Sequence, residues 1–489
     1  MSHGTATATT SEIPTKRLPG RILGLAFTEF WERFSFYGLN GILTFYLLFT
    51  VNDGGLEIAP AAAAGIVGAY GGAVYLAQLA GAWLGERVLS PKWLVFWGGV
   101  VITAGHLALA VLPGISGLAA GLVLIVFGTG ALKTNITNIV GFALAGKDEG
   151  HRDVGFAYFY LAINVGAVVG PLSTGFAQNA WGFHWGFGLA AVGMVVALVQ
   201  YVFSMPNLPA RAGLVARPIV GNRLTGIAAL AVAVGVAVTL CIVNGIVRPE
   251  QLAVIATVLS LAAAAWYFIM MLSAKNVTRD EKRRITAYLP LFLAASIYFG
   301  LLFQQFTTIA ILISERVDLH LGQWSIPVAW ITMLSQLAAV VVTPFVAYFW
   351  GRAGKNSPGA PSKFALGLVQ IGAAYVIMLL VLRFYSDALV PLLLVVVVMV
   401  VAGSSEVFIG PVSLSLATRI GPAKYESQLV GLNFLTLALG SSFSGLFGQL
   451  FTLMDEGSYF MLIIGLGVAS GVLLWLFKAP LQRSLYAGL

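Results

Sequence analysis

The segment Glu29–Gly38 reads EFWERFSFYG and sets two carboxylates and a guanidinium, on Glu29, Glu32 and Arg33, inside a run otherwise apolar enough to cross a membrane. On a helix, Glu29, Glu32, Arg33, Phe36, Tyr37 and Asn40 are spaced i, i+3, i+4, i+7, i+8 and i+11 and share one face. Three unpaired charges at mid-bilayer would cost roughly 9 kcal/mol, at about 3 kcal/mol each. That face must meet partners or a hydrated cavity. Two further ionisable residues lie well inside apolar runs: Lys133, about 24 Å into its helix at the usual rise, and Glu406. Three acids against two bases leave one carboxyl to hold a proton or to pair with something that arrives. Cations near one end of the set and a lone carboxylate at the other suit a zwitterion. A buried carboxyl in competition with a cation also suits proton coupling. The bland readings are an i,i+4 ion pair of Glu29 with Arg33, snorkelling for Lys133 and a helix–helix hydrogen bond for Glu406.

The elements that position these residues follow from composition. The 489 residues are 59% hydrophobic and 9% charged, with a mean hydropathy of +0.91, far from the soluble globular range. About fourteen apolar runs of some twenty residues recur along the chain, none alternating with period two, so the expected fold is all-α integral membrane and not a barrel. The first twenty residues contain no short apolar core with a cleavage site, so no removable signal peptide is expected. Arg33 and Lys133 lie within helices, and Arg248, Arg316 and Arg383 fall in loops on one side. All the others of the 27 basic residues fall on the side that holds both termini. The positive-inside rule therefore puts both termini in the cytoplasm. The net charge of +8 then faces anionic headgroups rather than nucleic acid. The expected division is a tail over 1–20, a six-helix bundle over 21–205, linkers with an inserted two-helix hairpin over 206–284, a second six-helix bundle over 285–478 and a tail over 479–489.

Several chemistries find no support in the residues. The single cysteine, Cys241, excludes an intramolecular disulfide and a thiolate cluster. The five histidines are scattered without metal spacing, and no GxSxG elbow occurs, so neither a cofactor nor an enzymatic activity is expected. Gly141–Asp148, GFALAGKD, misses a P-loop because Asp148 stands where Ser or Thr is required and no strand precedes it.

These motifs together resemble the proton-dependent oligopeptide transporters of the major facilitator superfamily. The first-helix ExxERFxxYG pattern is present as Glu29, Glu32, Arg33, Phe34, Tyr37 and Gly38, and FYxxINxG as Phe159, Tyr160, Ile163, Asn164 and Gly166. The stretch GAWLGERVLSPKWLVFWGG after Tyr75 is similar to the family's loop between helices two and three, with Glu86 in place of the usual aspartate. Lys133 in ALKTNITNIVG and Glu406 before GPVSLS match the family's fourth-helix lysine and tenth-helix glutamate. The resemblance implies a major facilitator fold of two six-helix bundles, with the two inserted helices of bacterial members. It further implies proton-coupled import of di- and tripeptides across the inner membrane, by a protein working as a monomer without a cofactor. Arg33 and Lys133 would receive the peptide carboxylate, Asn164 its backbone and Glu406 its ammonium. Tyr37 and Tyr75 would line the pocket, and Glu29 and Glu32 would couple protons with Arg33 as charge partner. Three departures touch this site: Phe36 replaces a tyrosine, Gln304 with Gln305 stands where an acid is common, and Asn433 stands where a tryptophan often closes the pocket. A transporter of another zwitterionic or anionic solute, an exporter, and a channel or receptor are the competing readings.

Overall fold

The computed structural model describes residues 20–145, 149–219, 223–322, 324–354, 357–422 and 424–488. The expected amino-terminal tail and the end of the P-loop-like stretch, 146–148, lie outside the described residues. Helices α1 (Gly20–Leu48), α2 (Pro60–Arg87), α3 (Pro91–Val111), α4 (Gly114–Ala143), α5 (Glu149–Trp181) and α6 (Phe183–Ser204) form the first set. A pair follows, α7 (Arg223–Val243) and α8 (Pro249–Ser273). The remainder is α9 (Arg279–Leu302), α10 (Thr308–Arg316), α11 (Ala329–Ala353), α12 (Ala360–Phe384), α13 (Leu392–Ser404), α14 (Gly410–Ile420), α15 (Glu426–Phe451), α16 (Glu456–Leu476) and α17 (Lys478–Leu485). Among the described residues, extended pairing is confined to two-residue strands in loops on one side of the molecule.

Among the described residues, twelve helical segments are long and apolar enough to cross a membrane, against the fourteen expected. The two that fall short of the same measure are α1, which carries the charges of the Glu29 segment, and α7, whose described apolar stretch is Val232–Val243. The protein is a multi-pass membrane protein.

Start signals are where chain chemistry puts them. Proline opens α2, α3 and α8 in the first turn, where its missing N–H costs nothing. Thr278 and Glu281 form a reciprocal capping box on α9, and the Asp455 side chain caps α16.

Two expected continuous spans, 285–314 and 388–418, are instead broken. A 3₁₀ segment at Phe303–Phe306 separates α9 from α10, and another at Ser405–Phe408 separates α13 from α14. Pro411, which cannot donate to the preceding turn, follows the second break. Irregular backbone at this depth survives only where protein or a wet cavity satisfies it. Glu406 sits in the second break.

Glycines bring α1 and α5 together. A Cβ on Gly166 would lie 2.6 Å from the Phe30 carbonyl oxygen, and one on Gly170 would strike the Phe34 carbonyl oxygen. The Gly166 of the FYxxINxG motif therefore has a packing role that fixes where Asn164 lies relative to the charged face of α1.

The first helix set meets the later one mainly at the end holding the α1–α2 connection. Thr44 Oγ1 donates to the Phe306 carbonyl at 2.5 Å, Trp330 Nε1 to the Leu172 carbonyl at 3.0 Å and Ser441 Oγ to the Gly68 carbonyl at 3.2 Å. A Cβ on Gly68 would lie 2.5 Å from the Gly445 Cα, so α2 and α15 touch backbone to backbone there. Gly68→Val is therefore expected to wedge this seal open. The cost of overpacking is about 1–3 kcal/mol. The check is labelling of a cysteine introduced at Ser441, with Cys241 replaced by serine, by a membrane-impermeant thiol reagent: reactivity should rise clearly with the valine present and stay low without it.

Candidate functional site

The charged face of α1 is buried: Glu29, Glu32 and Arg33 are 0%, 1% and 5% exposed. Arg33 turns back along its own helix to make a fork on Glu32, Nε to Oε2 at 2.5 Å and NH2 to Oε1 at 2.7 Å. Glu29 Oε1 accepts from Lys133 Nζ of α4 and lies 3.6 Å from Arg33 Nε. Two acids and two bases thus form one neutral cluster between α1 and α4. The Phe36 ring supports it, with the guanidinium 4.7 Å from its centroid. Asn40 is spent on its own helix, donating to the Phe36 carbonyl at 2.9 Å.

A cavity of 1050 Å³ lies between α5, α11, α14 and α15, and none of Glu29, Glu32, Arg33, Lys133, Tyr37 and Tyr75 is in its wall. Glu406, Asn164 and Asn433 are all in its wall. Glu406 has no ion-pair partner among the described residues. The three-acids-to-two-bases imbalance read from the sequence therefore falls on Glu406. Asn164 Nδ2 donates to the Tyr160 carbonyl at 3.0 Å, which leaves its amide oxygen for the cavity. Asn433 is buried with its Oδ1 unpartnered.

Tyr37 lies beside the cluster, the Arg33 guanidinium 5.9 Å from its ring centroid. Tyr75 is stacked on Phe303 at the first helix break, ring centroids 6.4 Å apart. Gln304 does not join the cavity wall. It is fully buried, and its Oε1 accepts from the Tyr459 hydroxyl of α16 at 2.5 Å. Its neighbour Gln305 accepts from the Ser335 hydroxyl. The 3₁₀ turn advances each residue by 120° instead of 100°, so a helical projection carried through Phe303–Phe306 misplaces Gln304.

The wall also contains residues that the sequence reading left unassigned. Tyr160 stands one turn before Asn164, and Gln336 and Thr343 stand seven apart on α11. Both spacings put polar groups on one helical stripe, a signal available in the sequence.

A helical membrane bundle, sealed at one end around a cavity with an unpaired carboxylate, has the architecture of a solute carrier. Residues 92–462 match the model of the POT family, and the chain belongs to that family. It is 34% identical over 470 residues to the uncharacterised transporter YclF of Bacillus subtilis, covering 96% of this chain and 95% of that protein. It is also 34% identical over 486 residues to a di-/tripeptide transporter of Lactococcus lactis subsp. cremoris, covering 95% and 96%. A crystal structure of a POT peptide transporter with sulfate superposes with a TM-score of 0.89 at 34% identity, over 95% of this chain and 96% of that one. A POT family transporter with 5-aminolevulinic acid superposes with a TM-score of 0.88 at 28% identity, over 95% and 97%. The fold is that of the major facilitator transporters.

Proposed function

We propose that this protein imports di- and tripeptides together with protons, exposing the central cavity alternately to the two sides of the inner membrane. The observation that carries the proposal is the division of charge: Glu406 lines the cavity with no cation beside it among the described residues, while Arg33 and Lys133 are both occupied by carboxylates. A peptide ammonium has a place to go at once. A peptide carboxylate does not. Protonation of Glu29 or Glu32 removes a competitor and frees Lys133 or Arg33 for that carboxylate, so loading of the two ions is linked. Asn164 and Asn433 offer amide groups to the peptide backbone, and Tyr37 and Tyr75 bound the space between the charged ends. The roomy cavity leaves side chains loosely specified, while charge-assisted hydrogen bonds at both ends set length.

In this reading both termini and the cavity mouth are cytoplasmic, α1 and α7 cross the membrane with the twelve apolar segments, and 21–205 and 285–478 move against each other as a monomer. The relatives named as di-/tripeptide transporters support the substrate class. The 5-aminolevulinic acid complex supports a second reading, in which a non-peptide zwitterion of similar length is carried by the same charges. Accumulation of labelled dialanine and of labelled 5-aminolevulinic acid in proteoliposomes separates them: accumulation of dialanine supports the first, and accumulation of 5-aminolevulinic acid without dialanine supports the second.

Glu32→Gln is expected to uncouple the two ions. Counterflow of labelled dialanine should persist near the normal rate, because exchange needs no net proton movement. Gradient-driven accumulation should fall about tenfold or more, the scale of one lost charge-assisted interaction. Accumulation at the normal level would move the coupling role to Glu29.

A further inference from the structure

A second, smaller cavity of 380 Å³ opens near the mouth of the first, between the end of α11, the start of α12, α14 and the residues after α17. Among the described residues its wall carries two cations, Lys363 and Arg419, and no carboxylate. Both are stacked on aromatic rings. Lys363 Nζ lies 3.7 Å from the Trp350 centroid, and the Arg419 guanidinium 5.4 Å from that of Tyr486. Neither has an ion-pair partner among the described residues. Stacking holds the two charges in place without neutralising them, and two like charges on one small cavity focus a positive potential in it.

Ser357 and Ser415 add hydroxyls to the same wall. The first turn of α12 faces it with no side-chain cap, so the helix dipole adds to the positive field. A lysine point charge beside an arginine fork, with hydroxyl donors between, is the donor set of a tetrahedral oxyanion. The volume is about ten times that of a water molecule, enough for a phosphate group and part of what it is attached to. Lys363 and Arg419 are not in the wall of the larger cavity. Ser415 lines both cavities, so the two share a wall of α14.

We propose that this cavity binds a phosphate-bearing anion through Lys363 and Arg419, either a soluble phosphate or the headgroup of an anionic phospholipid. Purified full-length protein is titrated with inorganic phosphate against chloride at constant ionic strength, followed by phosphorus NMR. In a parallel arm, phosphatidylglycerol bound to the protein is measured in phosphatidylcholine nanodiscs. At least one probe should bind saturably. Its affinity should fall about tenfold or more in Lys363→Gln and in Arg419→Gln, survive in Lys363→Arg and in a control, Arg283→Gln, on α9 outside this wall, and be insensitive to excess dialanine. Phosphate binding with this pattern identifies a soluble anion, and phosphatidylglycerol binding alone with this pattern identifies a headgroup. The proposal is overturned if neither probe binds, if binding survives both glutamine substitutions, or if dialanine displaces the anion, which would place it in the peptide cavity. The charge-retaining Lys363→Arg variant separates loss of the site from loss of the fold.

Discussion

Glu406→Ala is expected to abolish gradient-driven peptide uptake while leaving the protein as stable as the parent. The two halves of that expectation have one cause. Glu406 lines the cavity and has no ion-pair partner among the described residues, so its removal orphans no buried charge. Substitutions of that kind change stability by about 0.5 kcal/mol or less. In the proposed mode of binding, the same carboxylate becomes half of a desolvated ion pair once peptide is bound. Truncating such a partner costs about 2–5 kcal/mol, or from about 30-fold upward in kcat/KM. Initial rates of labelled dialanine uptake, with unfolding temperatures measured on the same preparations, give both numbers. Near-normal uptake by the variant would remove Glu406 from the mechanism, and a large loss of stability would show that it has a structural partner.

Lys133→Ala is expected to behave differently, losing both uptake and stability. Glu29 is fully buried, its Oε2 already lacks a partner, and Arg33 is committed to Glu32. Without Lys133, Glu29 would keep only Arg33, 3.6 Å away and already bound to Glu32. Breaking a buried pair in this way costs about 3–5 kcal/mol. Adding Glu29→Gln to Lys133→Ala should recover most of that loss, since no charge is then orphaned, yet leave uptake abolished because the peptide carboxylate still lacks its lysine. Thermal unfolding of the parent, both single variants and the double variant checks this. Additive losses would mean that the two side chains are not paired in the folded protein.

How much of this could be read in the chain differs from residue to residue. Ionisable residues inside apolar runs announce themselves by their cost in lipid, which is why Glu29, Glu32, Arg33, Lys133 and Glu406 were legible as a set. Their pairing was not. The i,i+4 spacing pairs Glu29 with Arg33, a contact the structure keeps at 3.6 Å, but the closer partners are the adjacent Glu32 for Arg33 and Lys133, 104 positions away, for Glu29. A long guanidinium stem can fold back over one turn, and contact between α1 and α4 is a tertiary fact that no local spacing encodes. Asn433 was legible and reaches the cavity. Gln304 was placed there too, but it points to Tyr459 because the chain leaves α-helical phase at Phe303. Hydropathy registers that the stretch around Gln304 is apolar on average and long enough, and is blind to a four-residue break within that average. Gly166 shows the reverse: its place in a motif was visible, while the reason for glycine emerged only from the contact with Phe30.

The central claim is that peptide and proton move together through this cavity. Uptake of labelled dialanine into liposomes containing the purified protein, with and without an imposed inward proton gradient, tests it most directly. Accumulation above the external concentration with the gradient, and mere equilibration without it, is the result the charge arrangement predicts. Equal accumulation in the two conditions would contradict proton coupling, and no uptake by folded protein in either would contradict the peptide assignment.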